Sequence, residues 1–341
     1  IVVAWSPSHF MSSSSPPATR WGILSTASIA AKVADAIKDA EGATLVAVSS
    51  RSAEKAEAWA AEHRVPKWYG SYDALLEDES INSVYIPVPT GCKAELALRA
   101  VQKGKNVLVE KPLPGSTDTA ELDAILAACA AGNLQFMDGT MWLHSHRTKE
   151  LERILRSGEL GQVRHITTAI TFVAPNDAWL EGGNCRTVAH LEPLGCFGDV
   201  GWYAVGALLW AMDYALPERV QMLHVRRNSA GVLLEGRGFL WFAGGTTGSF
   251  DCGACTAHRS SFEVACTKGT LRVDDQVGGQ GRSGEDAYFH KHEGSASFER
   301  SDASGKAWSV DVAPCDHARV MIEDFAKCVQ ERGDEQSAEW P

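Results

Sequence analysis

Between Trp21 and Met137 short aliphatic runs alternate with stretches of helical periodicity, and that alternation is the tightest constraint on what this chain can fold into. Trp21-Gly-Ile-Leu24 reads as a first strand, and Ile29, Val33 and Ile37 share one face of a helix. Ala43 to Ser49 reads as a second strand, and Ser52 caps a helix from Ala53 to His63. Ser83 to Val88 is a further strand, and Ala94, Ala97 and Val101 mark the next helix. Asn106-Val-Leu-Val109 follows; then Ser116 caps a helix to Ala131, Gly132-Asn133 stops it, and Leu134 to Met137 closes the series. Strands separated by helices of this length need crossover connections, which predicts an α/β fold with a doubly wound parallel sheet.

After Trp142 the pattern changes. Val163 to Phe172, Val220 to Val225, Val232 to Phe242 and Thr246 to Phe250 alternate apolar and polar residues, and Thr267-Lys-Gly269 joins two more strands as a hairpin. Strands without intervening helices predict a large, open, mainly antiparallel sheet with one face exposed or covered by a partner. A helical stretch from Gly198 to Trp210 interrupts them, residues 279–306 read as a long loop or hairpin, and Asp316 to Gln330 reads as a last amphipathic helix. The 341 residues therefore divide into a flexible tail (1–19), a first domain (20–141) of the size and pattern that binds a dinucleotide, and a second domain (142–341), which the resemblance described below makes the substrate-binding and oligomerisation domain.

The net charge of −11 opposes nucleic acid or an acidic membrane as partner, and the longest apolar run, Tyr203 to Met212, is too short to span a bilayer. Nine cysteines lack framework spacing and read as reduced, structural thiols, with Cys252-Gly-Ala-Cys255 the one CxxC pair. His144 and His146 lack a set of co-ligands, so no metal is expected. Met11 is a plausible start, and the Ser-rich segment after it suits a cytoplasmic tail, a plastid transit remnant being the alternative.

Ligands of open α/β sheets bind at the carboxyl ends of the strands, and the residues found there carry the chemistry. After the first strand, Ser25-Thr-Ala27-Ser28-Ile29 stands where a glycine-rich phosphate turn is expected, with Ala27 adding a methyl at the point of closest approach. After the second strand come Ser50 and Arg51, where an NAD enzyme wants an acid; hydroxyls and a guanidinium suit the 2′-phosphate of NADP. Pro89-Thr90 ends the next strand, and Glu110-Lys111-Pro112 follows the one after it, with the proline fixing the backbone beside the lysine. Alone, a Lys-Pro reads as a capped strand end; beside it, Asp199 and Tyr203 are four apart on one helical face.

Glu110-Lys-Pro together with Gly198-Asp-Val-Gly-Trp-Tyr203 resembles the Gfo/Idh/MocA oxidoreductases, over Arg20 to Pro341. Met137-Asp-Gly-Thr-Met-Trp142 with His144 and Arg147, and Gly269-Thr-Leu-Arg-Val273, resemble a plant and algal branch of that family. The resemblance implies a Rossmann domain followed by an α/β domain whose open sheet makes a dimer contact. It implies Lys111, Asp199 and Tyr203 as the catalytic group, with Ser25, Ala27, Ser28, Ile29, Ser50, Arg51, Pro89, Thr90, Glu110 and Lys111 around the cofactor. Trp142, Arg147, Arg186 and Trp202 are the residues expected to meet the substrate. Lys93 stands where the family usually has histidine, and the family usually continues with another helix beyond Pro341, so the sequence is expected to be truncated.

The function so read is an NADP(H)-dependent oxidoreductase acting on a sugar, polyol or diol, NADP being favoured over NAD, in a homodimer or higher homo-oligomer. A tyrosine with an ordinary pKa near ~10 needs the Lys111 charge to serve as acid and base at neutral pH. The alternative is a protein of the same fold that binds a nucleotide or a partner without turnover. The altered phosphate turn and Lys93 favour that alternative; Lys111, Asp199 and Tyr203 oppose it.

Overall fold

The computed structural model describes residues 19–115, 118–276 and 296–333; the expected tail and the Ser116 cap lie outside the described residues, as does most of the 279–306 stretch. Six strands, β1 (Thr19–Leu24), β2 (Ala43–Ser49), β3 (Lys67–Tyr69), β4 (Ser83–Ile86), β5 (Asn106–Val109) and β6 (Phe136–Asp138), form one sheet in the order β3-β2-β1-β4-β5-β6. Every pairing in it is parallel. Helices α1 (Ser28–Asp39), α2 (Ala53–Glu62), α3 (Tyr72–Leu76), α4 (Lys93–Gln102) and α5 (Ala120–Ala131) make the crossovers. Every residue of β4 and β5 is buried, which is why these strands read as unbroken apolar runs rather than alternating ones.

Helix α6 (His146–Ser157) leads to a sheet of eight strands: β7 (Val163–Val173), β8 (Arg219–Arg227), β9 (Leu233–Trp241), β10 (Thr247–Gly253), β11 (Cys255–Cys266), β12 (Gly269–Val273), β13 (Ala296–Asp302) and β14 (Ala307–Val312). Their order is β14-β13-β12-β11-β7-β10-β9-β8, antiparallel except for β7 with β10. Helix α7 (Trp202–Ala211) covers the inner face, where Ala204, Ala207 and Leu208 join Ile166, Leu240 and Phe250 in one core. A helix apolar on all sides has to be buried on all sides, and α7 meets that condition with most of its residues. No helix among those described is long and apolar enough to cross a membrane.

The last helix, α8 (His317–Gly333), follows the second sheet in sequence but packs against the first. Its Ala318, Met321, Ile322 and Phe325 complete the core around Trp21, Val33 and Ile37, with the Trp21 and Phe325 rings 4.7 Å apart. Burying Phe325 alone contributes roughly 2–3 kcal/mol. The expected assignment of everything after residue 142 to the second domain therefore needs amending in space. Asp324 of α8 adds a 2.7 Å hydrogen bond to His144, at the junction of the two halves.

Candidate active site

Each stretch singled out for the cofactor lies at the carboxyl edge of the parallel sheet, because each begins where a strand ends. Ser25 follows β1, Ser50 and Arg51 follow β2, Pro89 and Thr90 stand just beyond β4, and Glu110-Lys111 follows β5. The turn after β1 departs from the glycine-rich expectation in an informative way. Ser25 takes φ 149°, the conformation that normally calls for glycine, and its hydroxyl accepts the Ala27 N–H at 3.1 Å. Ala27 itself is extended, at φ −65°, ψ 154°, so its methyl imposes no backbone strain. It places no side-chain cap on α1, which leaves first-turn amides of Ser28 and Ile29 to meet an anion. After β2, Ser50 is buried and Arg51 exposed, and Ser52 caps α2 by accepting the Lys55 N–H at 3.3 Å. An uncapped helix start with a guanidinium beyond the next strand is a donor set that fits a dinucleotide bearing a 2′-phosphate.

Lys111, joined to Pro112 by a cis peptide bond, reaches across to the second half. Its Nζ donates to the Asp199 carbonyl oxygen at 2.9 Å and stands 3.1 Å from Asp199 Oδ1. It also lies over the Tyr203 ring, 4.7 Å from the centroid. Arg186 Nε approaches the same Asp199 oxygen, at 3.1 Å. Burial pushes the Asp199 carboxyl upward, but Lys111 and Arg186 outweigh it and hold the group at about 2. Asp199 is not on a regular α-helical turn with Tyr203, as four-residue spacing suggests; it belongs to a π-helical turn, Phe197–Gly201, that runs into α7. A small cleft opens beside Asp199 and Arg186, walled in part by Phe172 and Trp179, whose rings meet edge to face at 5.7 Å.

Five residues expected at the cofactor or the substrate have other partners in the structure. Trp142 is buried in the second core, edge-on to Trp210 at 5.7 Å, since a large apolar side chain gains most there. Arg147 is held by Asp275, at 2.5 Å from its carboxylate and 2.9 Å from its carbonyl oxygen, an ion pair that braces α6 to the second sheet. Trp202 donates its indole N–H to Thr140 at 2.8 Å, a strut between the halves. Glu110 is buried, with its carboxylate accepting the Tyr85 hydroxyl at 2.5 Å, which braces the strand end. Thr90, also expected at the cofactor, is buried, with its hydroxyl donating to Glu192 at 2.6 Å. Of the residues expected at the substrate, Arg186 alone joins Lys111, Asp199 and Tyr203.

Sequence reasoning missed Glu192 altogether. It is buried between Thr90 and Gly198, and burial raises its carboxyl above the usual range. A Cβ on Gly198 would strike Glu192 Oε1 and stand 3.0 Å from Pro112 Cγ, so only glycine lets the Asp199 turn come this close. No local signal marks Glu192, because Thr90, its hydrogen-bond partner, lies 102 residues away.

The oxidoreductase-family model for an NAD-binding Rossmann fold matches residues 19–140, and the same family's C-terminal-domain model matches residues 148–272. This chain belongs to the Gfo/Idh/MocA oxidoreductase family. Among curated relatives, a D-xylose 1-dehydrogenase (NADP(+)) of Haloferax volcanii is 29% identical over 91% of this chain and 89% of its own. A dTDP-3,4-didehydro-2,6-dideoxy-α-D-glucose 3-reductase of Saccharopolyspora spinosa is 31% identical over 75% and 74%. The bovine trans-1,2-dihydrobenzene-1,2-diol dehydrogenase is 26% identical over 76% and 75%. In fold, the chain matches the 3-ketoreductase KijD10 of Actinomadura kijaniata, solved with NADP and TDP-benzene, with a TM-score of 0.79. That match covers 95% of this chain and 92% of the other at 22% identity.

Proposed function

We propose that this family member is an NADP(H)-dependent dehydrogenase or reductase of a sugar, polyol or diol, with Lys111, Asp199 and Tyr203 as its catalytic group. The observation that carries the reading is their convergence: Lys111 Nζ lies 3.1 Å from Asp199 Oδ1 and 4.7 Å from the centre of the Tyr203 ring. The named activities of the relatives, all on hydroxyl or keto carbons of small molecules, support the same chemistry. Residues 20–141 hold the cofactor, with Ser25, Ser28 and Ile29 around the pyrophosphate and Ser50 and Arg51 at the 2′-phosphate. The half built on the eight-stranded sheet brings the substrate.

When bound, the nicotinamide accepts or supplies the hydride. Tyr203 exchanges the proton of the substrate hydroxyl, and the neighbouring ammonium of Lys111 supports the negative charge that develops on the phenol oxygen. Asp199 orients that ammonium through its two contacts, and Arg186, bonded to the same carboxylate, meets substrate oxygens at the cleft. The Phe172 and Trp179 rings offer an apolar wall of the kind a sugar ring packs on.

The sheet's outer face supports a homodimer or higher assembly. No described helix covers it, and it carries Phe239 and Trp241 with His165 and Arg219 stacked alongside. The test of the function is direct: NADPH and NADH titrated by fluorescence, then a screen of aldoses, polyols, diols and ketosugars with the tighter cofactor. Tight NADPH binding and turnover of one such class is the expected result; failure to bind either cofactor overturns the reading.

A further inference from the structure

Lys93, the first residue of α4, is fully buried at a place where an ammonium has few reasons to be. Its Nζ donates to the Pro112 carbonyl at 2.7 Å, one residue beyond Lys111, and stands 3.4 Å from Thr90 Oγ1. The Thr90 hydroxyl in turn donates to Glu192 Oε2 at 2.6 Å, and Glu192 Oε1 occupies the space that a Cβ on Gly198, next to Asp199, would need. The chain of contacts therefore starts beside one member of the catalytic group and ends beside another. Gly91, two residues before Lys93, adds a backbone bond to the Leu191 carbonyl at 3.0 Å, so the second half is fastened here twice.

We propose that Lys93, backed by Thr90 and Glu192, is a positioning residue that ties the Pro112 turn to the segment bearing Asp199 and so keeps Lys111 within reach of Asp199 and Tyr203. The inference rests on the function proposed above. The charges that face Lys93 are those of Glu110, Glu192, Lys111 and Asp199. Burial draws its pKa down, against the pull of Glu110 and Glu192, to about 8, which still leaves a three-donor ammonium at neutral pH. A buried charge of this kind is poor at adding stability and good at fixing geometry, because its bonds are directional and its alternatives are costly.

The test uses the full chain. Lys93→Met alone leaves the Glu192 carboxylate buried without its cation and is expected to lower the melting temperature. The double variant Lys93→Met/Glu192→Gln removes both charges and is expected to melt near the wild-type temperature, so a folding failure does not obscure the result. In that double variant, kcat is expected to fall about tenfold or more with KM and NADPH affinity within about twofold, the signature of misplaced chemistry rather than weakened binding. Its crystal structure is expected to have the Pro112 carbonyl displaced and Lys111 Nζ beyond hydrogen-bonding distance of Asp199. A double variant that keeps wild-type kcat and the Lys111–Asp199 contact overturns the proposal. Because the crystallographic readout needs no substrate, it separates failure of this inference from failure of the proposed function.

Discussion

Lys111 Nζ touches Asp199 twice, at the carboxylate and at the residue's own carbonyl oxygen, 3.1 and 2.9 Å away. The two contacts tie a residue at the end of β5 to the turn that opens α7, so the charge beside Tyr203 is set by the relation between the two sheets.

Replacing Tyr203 with phenylalanine keeps the ring under Lys111 and removes only the hydroxyl. Turnover is expected to fall about 10²- to 10⁴-fold while NADPH affinity stays within about twofold, as read by single-turnover kinetics and fluorescence titration. A Tyr203→Phe enzyme with near wild-type kcat would assign the proton to another group.

Asp199 gives a pH-dependent contribution of known sign. Its carboxyl is held at about 2 against an ordinary value of 3.8, so the folded state binds that proton less readily than the unfolded chain. The stabilisation is complete above the unfolded value and disappears as pH falls through about 2, and it amounts to about 2 kcal/mol. Urea unfolding of wild type and Asp199→Asn is expected to differ by about that much at pH 6 and to converge as the pH drops from about 4 towards about 2. A difference that stays constant over this range would show that the ion pair with Lys111 and Arg186 is not its source.

Arg51 is the residue expected to distinguish the two nicotinamide cofactors. Arg51→Ala should weaken NADPH by about tenfold or more and leave NADH nearly unchanged, since one charge-assisted contact to phosphate is worth at least ~1.4 kcal/mol. Equal losses for both cofactors would mean that the guanidinium packs on the adenine instead.

Gly198→Ala forces a methyl against Glu192 Oε1 and Pro112. A cost of about 1–3 kcal/mol in chemical denaturation is expected, with a loss of turnover that exceeds the loss of stability at the assay temperature. Wild-type stability in this variant would show that Glu192 moves aside freely.

The outer face of the second sheet predicts association. Sedimentation at micromolar concentration is expected to give a dimer or larger species, and Thr167→Arg, at an exposed position in the middle of β7, is expected to shift it to monomer. A wild-type monomer would remove the idea.

The parallel sheet was legible because β4 and β5 are buried on both faces and write that burial as unbroken aliphatic runs. Strand β3 escaped notice because it has only 3 residues, two of them exposed. Helix α6 escaped because its few apolar residues, Leu151 and Ile154 among them, are submerged in charge. Within the site, Lys111, Asp199 and Tyr203 could be singled out by motif and spacing, yet Trp142 and Arg147 show how little residue type says about direction. Both are of kinds that favour binding sites; one fills a core and the other braces a sheet. Glu192 and the buried state of Lys93 depend on contacts between distant segments, and no window of local sequence contains them.

Helix α8 has a consequence for how the protein comes into being. Synthesis runs from the amino end, so β1 to β6 leave the ribosome long before Phe325 and Met321 exist to cover Trp21 and Ile37. Until then that face of the nascent sheet is an open apolar surface, sticky to neighbours and attractive to chaperones. The cofactor half matures only when the last segment of the described chain closes over it, and a ribosome that stalls before α8 releases a sheet lacking that cover, however complete its strands.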